Sequence, residues 1–168
     1  SIQQVAHGAD GVLHFQWRAS LRGAEKWHSG MVPHSGTDTR IWNEVRELGN
    51  QLKKLTPVVG STTNSEIALL LDWNSWWALE LDSRPSTLLR QRTFLLDYYR
   101  HFFELGYSVD FAHPEQDLSK YKLVIAPNLY LATDKAVGNI RKAITSGVNF
   151  VLGAFSIAVD EDEGVRPG

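Results

Sequence analysis

A glutamate and a histidine stand three residues apart in Glu25-Lys-Trp-His28. On a helix that spacing sets both side chains on one face. Three chemistries use such a pair. A di-metal carboxylate site needs the spacing twice, with two further glutamates; here it occurs once, in a loop-like stretch. A surface glutamate beside a hydrogen-bonded histidine is the plain alternative. The third is sugar recognition, because Trp17, Arg18 and Trp27 accompany the pair. Carboxylate, imidazole and guanidinium pair with hydroxyls, and an indole stacks on the apolar C–H face of a pyranose. Core packing is an equal reading for Trp17 taken alone.

Other chemistries drop out. With no cysteine in the chain, disulfides, thiolate-ligated zinc, iron–sulfur clusters and a thiol nucleophile are excluded. The glycine patterns of dinucleotide and phosphate cradles do not occur, nor does the GxSxG nucleophile elbow. A flavodoxin-like binder remains a minor alternative. Its phosphate loop would fall on Asp72-Trp-Asn-Ser-Trp-Trp-Ala, bulky where small residues are wanted.

The elements that must carry these groups follow from periodicity. Residues 12–17 read as a buried strand and 19–39 as a long loop rich in Ser, Gly, His and Pro. Ile41, Val45, Leu48, Leu52 and Leu55 recur in steps of three and four, predicting a helix from Arg40 to Leu55 with Asp38 or Thr37 as cap. TPVVGSTTNS over 56–65 is the best candidate boundary. Beyond it, 67–71, 108–112, 121–126 and 149–154 read as strands, and 86–105 and 133–145 as helices. Gly106 and Gly147 stop the helices and Thr133 caps the second. That order predicts an α/β layer with a mostly parallel sheet. A single strand in residues 1–55 cannot satisfy its own backbone, so this piece reads as the end of a larger domain.

The chain has 168 residues, 43% hydrophobic and 21% charged, with a net charge of −2. These are globular values, without the basic excess of a nucleic-acid binder. No apolar run approaches the roughly 18 residues of a membrane span. No basic cluster followed by an apolar stretch opens the chain, so a cytoplasmic location is expected. The first residue is Ser1 rather than Met, which suits a processed or truncated piece.

AHGADGVLHFQWR over 6–18, GAEKWH over 23–28, MVPHSG over 31–36, LDWNSWWALE over 71–80 and VDFAHP over 109–114 together resemble the β-galactosidases of glycoside hydrolase family 42. The resemblance is collinear along nearly the whole chain. It implies a fold in which 1–57 is the last βα unit of a TIM barrel. Residues 58–168 are then an amidotransferase-like or flavodoxin-like α/β trimerisation domain, incomplete at its C-terminus. It implies retaining hydrolysis of terminal β-D-galactosides by two glutamates, both expected upstream of residue 1. No catalytic residue is therefore assigned, and the 168-residue piece alone is expected to be inactive. The resemblance assigns Glu25 and His28 to galactose binding, with Trp17 and Arg18 lining the pocket and no role for His34. The family's zinc site uses cysteines, so no metal is expected, and no cofactor. A homotrimer is implied, with a β-galactoside as ligand and neither nucleic acid nor membrane as partner. A non-catalytic assembly module is the alternative. Trp73, Trp76 and Trp77 fit packing under the second domain, contact with the barrel or a neighbouring subunit, or a sugar subsite.

Overall fold

The computed structural model describes residues 1–167 and divides the chain into two compact units, at Thr63 and Asn64. No helix among the described residues is long and apolar enough to cross a membrane.

The first unit opens with helix α1 (Ile2–Ala6). The strand expected over 12–17 is not formed. Leu13, Phe15 and Trp17 are all exposed, and the stretch is irregular. The physical reason is the one that made it an orphan: a strand needs a neighbour for its N–H and C=O groups. The only pairing here is a short parallel bridge between Arg18 and Val32, with Val32 N–H donating to Trp17 O at 2.8 Å and Ala19 N–H to Val32 O at 3.0 Å. Gly30 permits it. A Cβ there would sit 2.5 Å from the Ala19 nitrogen, a distance no side chain tolerates.

Within the expected loop, Ala24–Trp27 forms one 3₁₀ turn. Helix α2 (Arg40–Lys53) follows as its periodicity predicts, but its cap is Thr39, whose Oγ1 accepts from Trp42 N–H at 3.3 Å. Asp38 and Thr37 fall outside the capping position. The helix buries none of its residues. A 3₁₀ turn at Thr56–Val58 leads out of it. In this unit only Ala19 and Val32 are buried apolar residues.

The second unit is a four-stranded sheet, β1 (Ile67–Leu70), β2 (Val109–Ala112), β3 (Leu123–Ala126) and β4 (Asn149–Leu152), in the order β2-β1-β3-β4. Every pairing is parallel, with Ile67 opposite both Val109 and Leu123. Parallel strands need crossovers. Helices α3 (Trp73–Ala78) and α4 (Gln91–Glu104) lie between β1 and β2, and α5 (Asp134–Thr145) between β3 and β4. Ala136, Ile140 and Ala143 of α5 pack with Ala68, Leu70, Val124 and Ala126. Leu95, Tyr98 and Phe102 of α4 pack with Leu69 and Ile125. The burial of β1 on both faces explains its unbroken apolar run.

Two expectations for this unit need correcting. Residues 73–78 are helical, where a bulky loop was expected; Asp72 Oδ1 accepts from Ser75 N–H at 2.9 Å and starts the turn. Helix α4 starts at Gln91, five residues later than read. Pro85 and a turn closed by Leu89 N–H to Ser86 O delay it, and Arg90 is extended. Gly106, at φ +80°, ends it as expected, since that conformation favours a residue without Cβ.

Candidate functional site

The sugar-binding residues expected from sequence lie in the irregular segment between Phe15 and His34. Hydrogen bonds fix its course. Met31 N–H donates to Gln16 O at 2.9 Å, Ser20 Oγ to Gln16 Oε1 at 3.1 Å, and His34 Nε2 meets Ser20 O at 2.8 Å. Glu25 lies in the 3₁₀ turn and His28 closes it, its N–H donating to Glu25 O at 3.0 Å. Residues three apart eclipse on such a turn, so the pair occupies one side of it.

The rings of this segment meet edge to face. Phe15 lies 5.9 Å from His28, Trp17 5.6 Å from Trp42 of α2, and Trp27 6.1 Å from His34. The carboxylate of Glu25 and the guanidinium of Arg18 have no hydrogen bond or ion pair among the described residues, and both are exposed. Gln16 Nε2 is buried and has no partner. Sequence reading passed over Gln16, whose amide oxygen ties the segment to Ser20; nothing but its place between two aromatic residues marked it.

An apolar cavity of about 640 Å³ opens elsewhere in the unit, lined by residues that include Val5, Leu52, Leu55 and Val59. Trp17, Arg18, Glu25 and His28 do not line it. Among the described residues no three His, Asp or Glu side chains converge as a metal site would require.

In the second unit the carboxyl ends of the strands hold another polar cluster. Asp72, after β1, caps α3 with one oxygen. Its other oxygen accepts from His113 Nε2, after β2, at 2.9 Å. Glu115 N–H donates to His113 Nδ1 at 3.2 Å, which puts the ring proton on Nε2. Both carboxylate oxygens are thus used within the domain.

Family models match both units: residues 1–55 as "Beta-galactosidase" and residues 65–168 as "Beta-galactosidase trimerisation domain". The chain belongs to glycoside hydrolase family 42. It is 46% identical over 169 residues to β-galactosidase LacZ of Heyndrickxia coagulans, covering 100% of this chain and 25% of the relative. It is 44% identical to β-galactosidase bgaB of Geobacillus kaustophilus, with the same coverage. Among solved structures, a β-galactosidase from Bacillus circulans sp. alkalophilus superposes with a TM-score of 0.92 at 36% identity. A catalytic mutant of Gan42B, a GH42 β-galactosidase from G. stearothermophilus, gives 0.91 at 37%. These cover 100% and 99% of this chain but 25% of each structure. The chain therefore spans about a quarter of the relatives it matches.

Proposed function

We propose that this chain is part of a retaining β-galactosidase acting on terminal β-D-galactosides, and that it supplies galactose-binding groups rather than the catalytic pair. Glu25 and His28 hold sugar hydroxyls, with Arg18 and Trp17 beside them. One observation carries the assignment. Glu25 and Arg18 expose charged groups with no protein partner, on a segment whose neighbouring rings are already held edge to face. Such groups are free to pair with a ligand. Retaining hydrolysis needs one carboxylic acid to protonate the leaving oxygen and one carboxylate to attack the anomeric carbon, with water then releasing the sugar. We assign neither role to this chain.

A site built around a bond to a sugar hydroxyl discriminates strongly, because its polar groups are left unpaired when that hydroxyl is missing. In a β-galactosidase containing this chain, Glu25→Ala lowers kcat/KM by about 3 kcal/mol, on the order of a hundredfold. A value near wild type, measured on a chromogenic β-galactoside, overturns the assignment. The 168-residue chain alone does not turn that substrate over.

Three copies of the chain assemble through the second unit; the match of residues 65–168 to a trimerisation domain supports this. A cytoplasmic setting belongs to the same proposal and is checked by cell fractionation. A second reading, an assembly module without a ligand, draws on the buried core that lies almost wholly beyond Asn64. Equilibrium dialysis with galactose separates the two readings, since a module alone retains none.

A further inference from the structure

The turn that carries Glu25 and leads into His28 has little to hold it in place. None of Ala24–Trp27 is buried, and no side chain caps the turn. Among the described residues its hydrogen bonds stay within 23–28: Lys26 N–H and Nζ donate to Gly23 O, and His28 N–H to Glu25 O. Two ring pairs join it to the rest of the unit, His28 with Phe15 at 5.9 Å and Trp27 with His34 at 6.1 Å, both edge to face. His34 is itself anchored. The parallel bridge sets Arg18 opposite Val32, so Ser20 falls opposite His34 in the same register. Pro33 has no N–H to continue the ladder, and the next bond comes from a side chain, His34 Nε2 to Ser20 O at 2.8 Å. A carbonyl only accepts, so Nε2 carries the proton and donates. Ser20 is held in turn, its Oγ donating to Gln16 Oε1 at 3.1 Å.

We infer that His34 is a positioning residue for the sugar site: tied to Ser20, its ring braces Trp27 and so fixes where Glu25 and His28 present their groups. The inference rests on the galactose-binding reading given above and adds to it a residue that the family resemblance left without a role. Trp27 stands between Glu25 and His28 in the chain, so a shift of its ring moves both. A single 3₁₀ turn has too few bonds to resist such a shift by itself. Binding groups have to be held closely, because a displacement of about 1 Å costs on the order of a hundredfold in rate. Supporting contacts behind the groups supply that precision. His34 Nε2 is spent on Ser20 O, which makes this histidine a support for the turn rather than a second sugar-binding histidine.

The test is a double-mutant cycle in a β-galactosidase containing this chain, with kcat/KM read on a chromogenic β-galactoside below the melting temperature of every variant. His34→Ala is expected to lower kcat/KM about tenfold when Glu25 is present. In the Glu25→Ala background the same change is expected to cost about threefold or less, because only His28 is left to place and residues that act together are not additive. A residue that served overall stability alone would give the same loss in both backgrounds. If His34→Ala does not fold, His34→Phe decides; it keeps a ring beside Trp27 but no donor for Ser20 O, and the same pattern is expected. Equal losses in the two backgrounds, or a His34 variant near wild type when Glu25 is present, overturn the inference and leave the sugar site standing. Glu25→Ala near wild type overturns the sugar-site reading, and this inference with it.

Discussion

Asp72 uses each carboxylate oxygen for a different task, one starting α3 and the other holding His113. Its side chain is 10% exposed and that of His113 is 46% exposed, so water replaces the bond to His113 more readily than the cap. Removing it loses an N-cap, about 1 kcal/mol, and the bond to His113, about 0.5 kcal/mol more because that ring can turn to water. Asp72→Ala is expected to lower unfolding stability by about 1–2 kcal/mol in urea titration, and no measurable loss contradicts the account. Asp110 gives a pH-dependent counterpart. Burial pushes its carboxyl up, but hydrogen bonds from Tyr121, Lys120 and Ser65 outweigh that and hold it below the ordinary aspartate value. A carboxyl depressed in the folded state adds stability above its unfolded value, lost as pH falls through the folded one. Asp110→Asn is therefore expected to flatten the loss of stability in that acid window, as read by denaturation at a series of acid pH values, and to alter the alkaline slope as well, because Asp110 helps to raise both Lys120 and Tyr121. Sequence could nominate Glu25 and His28 by residue type and spacing. It could not show the Asp72–His113 pair, because the two come together only when β1 and β2 align in register.

At the level of elements, the accurate readings were those with a local cause. Helix α5 is capped by Thr133 and interrupted before Gly147 as its sequence dictates. The Thr133 hydroxyl accepts from Ala136 N–H at 3.0 Å and donates to Glu115 Oε1 at 2.7 Å. Thr133→Ala is expected to cost 1–2 kcal/mol and Thr133→Ser much less, measured by thermal unfolding; equal losses would assign the effect to packing of the methyl group. Thr39 makes the longer cap of α2, a helix without buried residues. Its loss should reduce helical circular dichroism while leaving the main unfolding transition in place. The misread elements had causes of both kinds. Residues 12–17 carry strand-forming side chains but find no neighbouring strand among the described residues, so propensity had nothing to act on. Helix α3 was hidden because three tryptophans in six residues look like a binding loop, while the Asp72 cap that starts it is a single side chain.

For the whole molecule, the two units differ in what holds them. Ordering a residue costs on the order of 1–2 kcal/mol of backbone entropy, and burial of apolar surface at about 25 cal/mol per Å² must offset it. The second unit has the means, with aliphatic and aromatic side chains packed on both faces of its sheet. The first has Ala19 and Val32, one strand-like bridge and a helix that buries nothing. Local stability tracks buried apolar contact and protected hydrogen bonds, so the two units are expected to open at different free energies. Amides of residues 1–63 should exchange within seconds to minutes, whereas those of β1, β3 and α5 exchange only on global unfolding. Trypsin under native conditions should cut first at Arg40, Arg46, Lys53 and Lys54, leaving a resistant fragment that starts shortly before β1. Uniform protection across Thr63 would contradict this division. The consequence reaches the proposed sugar site, because Glu25 and His28 belong to the unit with the smaller core. A galactose bound there by the chain alone has to hold the 15–34 segment against local opening, and that cost comes out of its affinity. Affinity for galactose should therefore rise when the first unit is completed by the longer enzyme, with Glu25 and His28 themselves unchanged. Calorimetric titration of the chain and of the longer enzyme with galactose measures the difference, and equal affinities would mean that the segment is already held in its binding form.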